Sequence, residues 1–136
     1  FKNVYVLDIS EHPLESLKLR ISTFPDNQLV KDNFFTHVGK YDLILEQTFF
    51  CSFEPSKVNR KAYAKQINSL LNPKGKLVGL WFNHDVLDGA KRPFGGSKKE
   101  YLEYLSPYLE TIVFDSCYNS IKPRMGKELF GIFVKK

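Results

Sequence analysis

Short apolar runs alternate along this chain with longer stretches in which apolar residues recur every three or four positions. Residues 4–7 (VYVL) predict a strand, followed by a polar turn and a helical stretch over 13–21. Residues 28–31 predict a short second strand and residues 42–46 (DLILE) a third. Ser56 then precedes a helix with Val58, Ala62, Ile67, Leu70 and Leu71 on its apolar face. That helix is expected to stop at Asn72 and Pro73, where Pro-Lys-Gly makes a tight turn. Residues 77–82 (LVGLWF) predict a fourth strand, apolar on both faces. Ser97 and Glu100 have capping-box spacing, so a helix starts there, runs to about Leu105 and breaks before Pro107. Residues 112–117 and 129–134 predict two closing strands.

Strands that alternate with helices and are apolar on both faces point to a parallel sheet covered by helices. The last two strands have only a loop between them, too short for a parallel crossover, and should be antiparallel neighbours. The expected architecture is therefore a Rossmann-like α/β sheet, mostly parallel, with an antiparallel C-terminal strand.

A length of 136 residues suits one domain with one core. No apolar run approaches the roughly 18–20 residues of a membrane span, and no basic leader precedes the first strand, so neither a membrane nor a secretory signal is expected. Cys51 and Cys117 form no paired motif, which favours a reducing, cytoplasmic setting. The net charge of +5 is spread along the chain. Its densest group, Lys57, Arg60, Lys61 and Lys65, has helical spacing and reads as a solvated face, so no nucleic-acid partner is implied.

In open α/β sheets, ligands bind beyond the carboxyl ends of the strands. Asp8 follows the first strand, Asn33 and Phe34 the second, Glu46, Gln47, Phe49 and Phe50 the third, and Asn83, His84 and the loop 89–96 the fourth. A carboxylate at Asp8 suits the two hydroxyls of a ribose, or caps the next helix. An amide at Asn33 suits an adenine edge, or a turn. Phe49 and Phe50 suit the enclosure of a cation, or the core. Cys51 has no histidine obviously paired to it and reads as a buried structural thiol. There is no GxGxxG, Walker loop or GxSxG elbow, and His12, His37 and His84 lack metal-ligand spacing, so no metal is expected.

The blocks VLDIS (6–10), DNFFTH (32–37), YDLILEQTFFCSFEP (41–55), LLNPKGKLVGLWF (70–82) and RPFGGSKKEY (92–101) resemble the thiopurine S-methyltransferase family. That family lies within the class I S-adenosylmethionine-dependent methyltransferases, and its bacterial and plant branch includes halide and thiol methyltransferases. The resemblance implies S-adenosyl-L-methionine as cofactor and a small soft nucleophile (thiol, halide or thiocyanate) as acceptor. The alternative is a non-catalytic cofactor-binding or assembly fragment. A monomer or homodimer is expected.

The resemblance also implies residue roles. Asp8 matches the acid on the ribose, Ile9 packs on the adenine, and Asn33 and the Phe34 N–H face the adenine edge. Glu46 matches a residue on the methionine part of the cofactor. Gln47, beside the methyl group, is the catalytic candidate. Phe50, Trp81, Pro93 and Phe94 would wall the acceptor pocket, with Arg124 near it. In the family a strand and a glycine-rich turn precede the acid that Asp8 matches, and lid helices lie further upstream. Residues 1–136 are therefore expected to form a single truncated domain lacking that strand, with open edges on the first and third strands.

Overall fold

The computed structural model describes residues 1–85 and 91–136. The chain divides into two compact units, Phe1–Val38 and Gly39–Lys136.

In the first unit, β1 (Val6–Asp8) lies parallel to β2 (Leu29–Lys31), with Val6 opposite Leu29 and Asp8 opposite Lys31. Helix α1 (Glu11–Arg20) joins them. It starts two residues before Pro13, the beginning that the sequence pattern suggests. Proline is tolerated in a first turn because the N–H it lacks has no intrahelical partner there.

The second unit contains β3 (Tyr41–Gln47), α2 (Lys57–Leu70), β4 (Leu71–Phe82), α3 (Lys98–Leu105), β5 (Leu109–Ser116) and β6 (Glu128–Lys135). Its strands lie in the order β3-β4-β6-β5. The β3–β4 pair is parallel, whereas β6 is antiparallel to both β4 and β5. The last two strands are antiparallel neighbours as expected, but the sheet is mixed rather than mostly parallel. Among the described residues no ladder links the two sheets, so β1 and β3 each have one strand neighbour.

The caps follow the sequence. Ser56 Oγ accepts the Asn59 N–H at 3.1 Å, and Ser97 Oγ accepts the Glu100 N–H at 3.2 Å. The buried stripe of α2 matches the predicted one in its second half, with Ile67, Leu70 and the following Leu71 buried as expected, and departs from it in the first. Arg60, Tyr63, Ala64, Ile67 and Leu70 are buried, while Val58 and Ala62 are exposed. Strand β4 also begins at Leu71 rather than Leu77. The expected Pro-Lys-Gly turn is absorbed into it as an irregularity, because residues 72–75 bulge out opposite Asp42 before the register resumes at Lys76. Lys74 adopts φ +62° at this bulge.

One face of the second sheet carries the core. Leu77 and Trp81 of β4 are buried with their ladder partners Phe133 and Leu129, and Trp81 packs edge-on against Phe114 and Phe133 with ring centroids 5.6 Å away. Tyr63, Ile67, Tyr101 and Leu105 from the helices are buried too. Each such side chain contributes about 1.5–3 kcal/mol of apolar burial. On the other face, Val78, Leu80, Phe130 and Ile132 are half-buried and Leu45 is 72% exposed. The strands are thus apolar on both faces, in line with the sequence pattern, but within this unit only one face is fully buried.

Candidate functional site

The carboxyl end of β3 turns sharply, and its own side chains build the turn. Glu46 points into the core side of the sheet and is 6% exposed. Its Oε1 accepts the Phe50 N–H at 2.8 Å, while Oε2 has no hydrogen-bond partner among the described residues. Burial pushes this carboxyl up to about 8, against the opposing pull of the Phe50 and Phe49 N–H groups. Gly79 stands opposite Glu46 on β4, and a Cβ there would overlap the Glu46 carbonyl. Thr48 adopts φ +61°, a left-handed conformation unusual for a β-branched residue. Such strain clusters where the surrounding structure holds a segment for function.

Gln47 emerges on the opposite side of this turn and is exposed. It borders an open cavity of about 470 Å³, also lined by Leu45, Leu80, Ile121, Arg124 and Phe130. The structure therefore brings together two residues distant in sequence, Gln47 and Arg124. Arg124 lies 5.1 Å over the Phe82 ring, and its Nη1 is 3.5 Å from Oε2 of the buried Glu128. Ser120 Oγ, on the same cavity, is buried without a hydrogen-bond partner among the described residues.

Phe50 and Trp81, expected as acceptor walls, are 1% and 0% exposed and sit in the core. Neither borders the cavity beside Gln47, so the structure does not place them on an exposed wall. The cation that Phe50 meets is the chain's own. The Arg60 guanidinium lies 4.8 Å from the Phe50 centroid and is completely buried. Its charge places Arg60 on a solvated face in the sequence pattern, yet it stands three and four residues before Tyr63 and Ala64, in phase with the buried stripe. That phase is the signal in the sequence. Pro93 is exposed and follows a cis peptide bond, and Phe94 is half-buried, its N–H bonded to the Cys51 carbonyl at 2.8 Å. Residues 89 and 90 of the loop 89–96 lie outside the described residues.

Cys51 is fully buried, with Sγ 3.7 Å from the Tyr101 hydroxyl. Burial raises its thiol above the ordinary value, which suits packing rather than nucleophilic attack. The Tyr101 hydroxyl in turn donates to the Phe82 carbonyl at 2.5 Å. Among the described residues, no three His, Cys, Asp or Glu side chains are placed to hold a metal ion. None of the described helices is long and apolar enough to cross a membrane.

In the first unit, Asp8 Oδ1 accepts the Ser10 N–H at 2.8 Å, which orients the carboxylate at the strand end. Ile9 is 66% exposed beside it. Asn33 Oδ1 accepts the Phe35 N–H at 2.9 Å, so the exposed residue makes the turn. Asp32 supports this turn: Oδ1 accepts the Asn33 N–H at 2.7 Å and Oδ2 lies 2.7 Å from His37 Nδ1. The His37 ring and the Asn33 N–H hold the Asp32 carboxyl below its usual range.

Known proteins resemble the chain in both sequence and fold. No family model matches it. It is 34% identical to an Arabidopsis thaliana protein described as "Probable thiol methyltransferase 2", over 98% of this chain and 61% of that protein. It is 33% identical to thiocyanate methyltransferase 1 of Brassica oleracea, over 95% of this chain and 58% of that protein. The chain is homologous to these plant enzymes and spans about three fifths of their length. The N-methyltransferase NodS of Bradyrhizobium japonicum, solved with S-adenosyl-L-homocysteine, superposes with a TM-score of 0.75 at 12% identity, over 96% of this chain and 65% of that one. A methyltransferase of Methanosarcina mazei superposes at 0.73 with 15% identity, over 95% of this chain and 80% of that one. The fold is the α/β fold of class I S-adenosylmethionine-dependent methyltransferases.

Proposed function

We propose that this chain, a homologue of plant thiol and thiocyanate methyltransferases, carries the cofactor and acceptor residues of a methyltransferase acting on a small soft nucleophile. The observation that supports the reading is the cavity at the end of β3, which Gln47 and Arg124 both border. S-Adenosyl-L-methionine, when bound, supplies a methyl group already activated on a sulfonium. The protein then has to align the acceptor, exclude water and offer a few dipoles. A thiolate, a halide or thiocyanate needs no general base.

Roles divide between the two units. In residues 1–38, Asp8 offers Oδ2 to the ribose hydroxyls, Ile9 offers apolar surface to the adenine, and Asn33 and the Phe34 N–H face the adenine edge. The exposed Asn33 amide can donate to a ring nitrogen, and its Oδ1 retains a second lone pair for an amino group. In residues 39–136, Gln47 faces the methyl group. Glu46 acts on the methionine side through the turn it holds. Pro93, Phe94 and Arg124 border the acceptor, with Phe50 and Trp81 behind them.

We read both units as parts of one methyltransferase domain, since the homology runs through both. The finer reading, a sheet without its glycine-motif strand, accords with the single strand neighbour of β1 and of β3. The test is transfer of labelled methyl by the full-length protein to a panel of thiols, iodide and thiocyanate. Turnover of at least one is expected. Cofactor binding with no turnover of any would overturn the acceptor class.

A further inference from the structure

We infer that Arg60 is a positioning residue for the acceptor side of this site, holding the segment Phe94–Gly96 against the turn that follows β3. The inference rests on the acceptor reading above, and its starting point is a charge where charge is costly. The Arg60 side chain is 0% exposed. Its Nη2 donates to the Gly95 carbonyl at 2.7 Å, and its Nη1 donates to Glu100 Oε1 at 2.5 Å. The guanidinium lies 4.8 Å from the Phe50 ring centroid and 5.8 Å from that of Tyr101.

These contacts reach three segments near the carboxyl ends of β3 and β4. Phe50 belongs to the β3 turn, Tyr101 is bonded to the last carbonyl of β4, and Gly95 follows Phe94. The segment is pinned on both sides of Gly95. The Phe94 N–H donates to Cys51 O at 2.8 Å, and Gly96 bridges to His84. Gly95 is so close to His84 that a Cβ would overlap the His84 carbonyl. From the α2 side, Arg60 meets the Gly95 carbonyl.

A planar guanidinium can bond two acceptors in a fork while stacking on rings, whereas an ammonium acts as a point charge. Lysine at this position keeps the charge but cannot hold Gly95 and Glu100 and stack on both rings. Glu100 is 32% exposed at its side chain, so it can rehydrate if released. The Gly95 link is therefore the specific contribution, and the Glu100 link is the general one.

The experiment compares Arg60→Lys with Glu100→Gln in the full-length protein. The Arg60→Lys variant should lose protection of the Phe94 amide against hydrogen exchange and show a KM for the acceptor raised by roughly tenfold or more. Its affinity for S-adenosyl-L-homocysteine should stay within about twofold of wild type, a change too small to matter on the free-energy scale of binding. Glu100→Gln should lower thermal stability without either change. If Arg60→Lys fails to fold, the Arg60 Nη protons of the wild-type protein decide the point, with slow solvent exchange expected and free rotation contrary to it. Retained Phe94 protection in Arg60→Lys, or lost protection with unchanged acceptor KM, overturns the proposal. If the wild-type protein transfers methyl to no acceptor, the functional reading fails by itself, and Phe94 protection still decides whether Arg60 holds the segment.

Discussion

Glu46 shows how one side chain trades stability for a turn. Its carboxyl is buried, with one oxygen on the Phe50 N–H and the other without a hydrogen-bond partner among the described residues. Folding raises its pKa from 4.5 to about 8. The folded state therefore holds a proton that the unfolded state releases throughout that window. Stability contributed by the protonated group is complete below pH 4.5 and is lost as pH climbs through 8. The loss is on the order of 5 kcal/mol, since each tenfold change in proton affinity is worth about 1.4 kcal/mol. Glutamine can accept the same Phe50 N–H without a charge. Urea unfolding should show wild-type stability falling between pH 5 and 8 and a nearly flat line for Glu46→Gln, which becomes the more stable protein at pH 8. Parallel lines would mean that Glu46 is ionised in the folded protein.

Whole elements are more legible in the sequence than their edges or their burial. Ser56 and Ser97 announce two helices because a hydroxyl before an apolar periodic run satisfies an otherwise orphaned N–H. The reciprocal half of the Ser97 box does not form, because Glu100 turns instead to Arg60, forty residues earlier. No local pattern encodes that competition. Arg60 itself is easily misplaced because charge suggests solvent, although its phase matches the buried stripe. Among the candidate site residues, Gln47 and Arg124 do meet one cavity, whereas Phe50 and Trp81 are covered by partners from other elements. The start of β4 is hidden because Asn72, Pro73 and Gly75 carry turn chemistry, which here makes a bulge within a strand. Lys74 takes the left-handed conformation that the bulge requires, at a cost that glycine avoids. Lys74→Gly should therefore raise the unfolding free energy by about 0.5–1 kcal/mol, because relief of the left-handed strain exceeds the added freedom of the unfolded chain. A urea midpoint unchanged or lowered at constant slope would show that the bulge holds Lys74 without strain.

At the scale of the molecule, the proposed site residues fall in two units that fold around different contacts. Residues 1–38 hold Asp8 and Asn33 through short local bonds, Ser10 N–H to Asp8 and Phe35 N–H to Asn33. Residues 39–136 hold Gln47 at the end of a strand braced by a buried carboxyl, and Arg124 over a ring. The nucleoside end of the cofactor and the acceptor should therefore respond to different substitutions. Asp8→Ala removes the carboxylate proposed to serve the ribose, along with the acceptor of the Ser10 N–H, at a position outside α1. It should weaken S-adenosyl-L-homocysteine binding by roughly tenfold to a hundredfold, the scale of a lost charge-assisted hydrogen bond of about 1.5–3 kcal/mol. Gln47→Ala should leave that affinity nearly unchanged while lowering kcat/KM for methyl transfer. Titration calorimetry of both variants of the full-length protein, followed by turnover assays, checks the division. Equal losses of product affinity in both variants would place Gln47 on the cofactor rather than beside the acceptor.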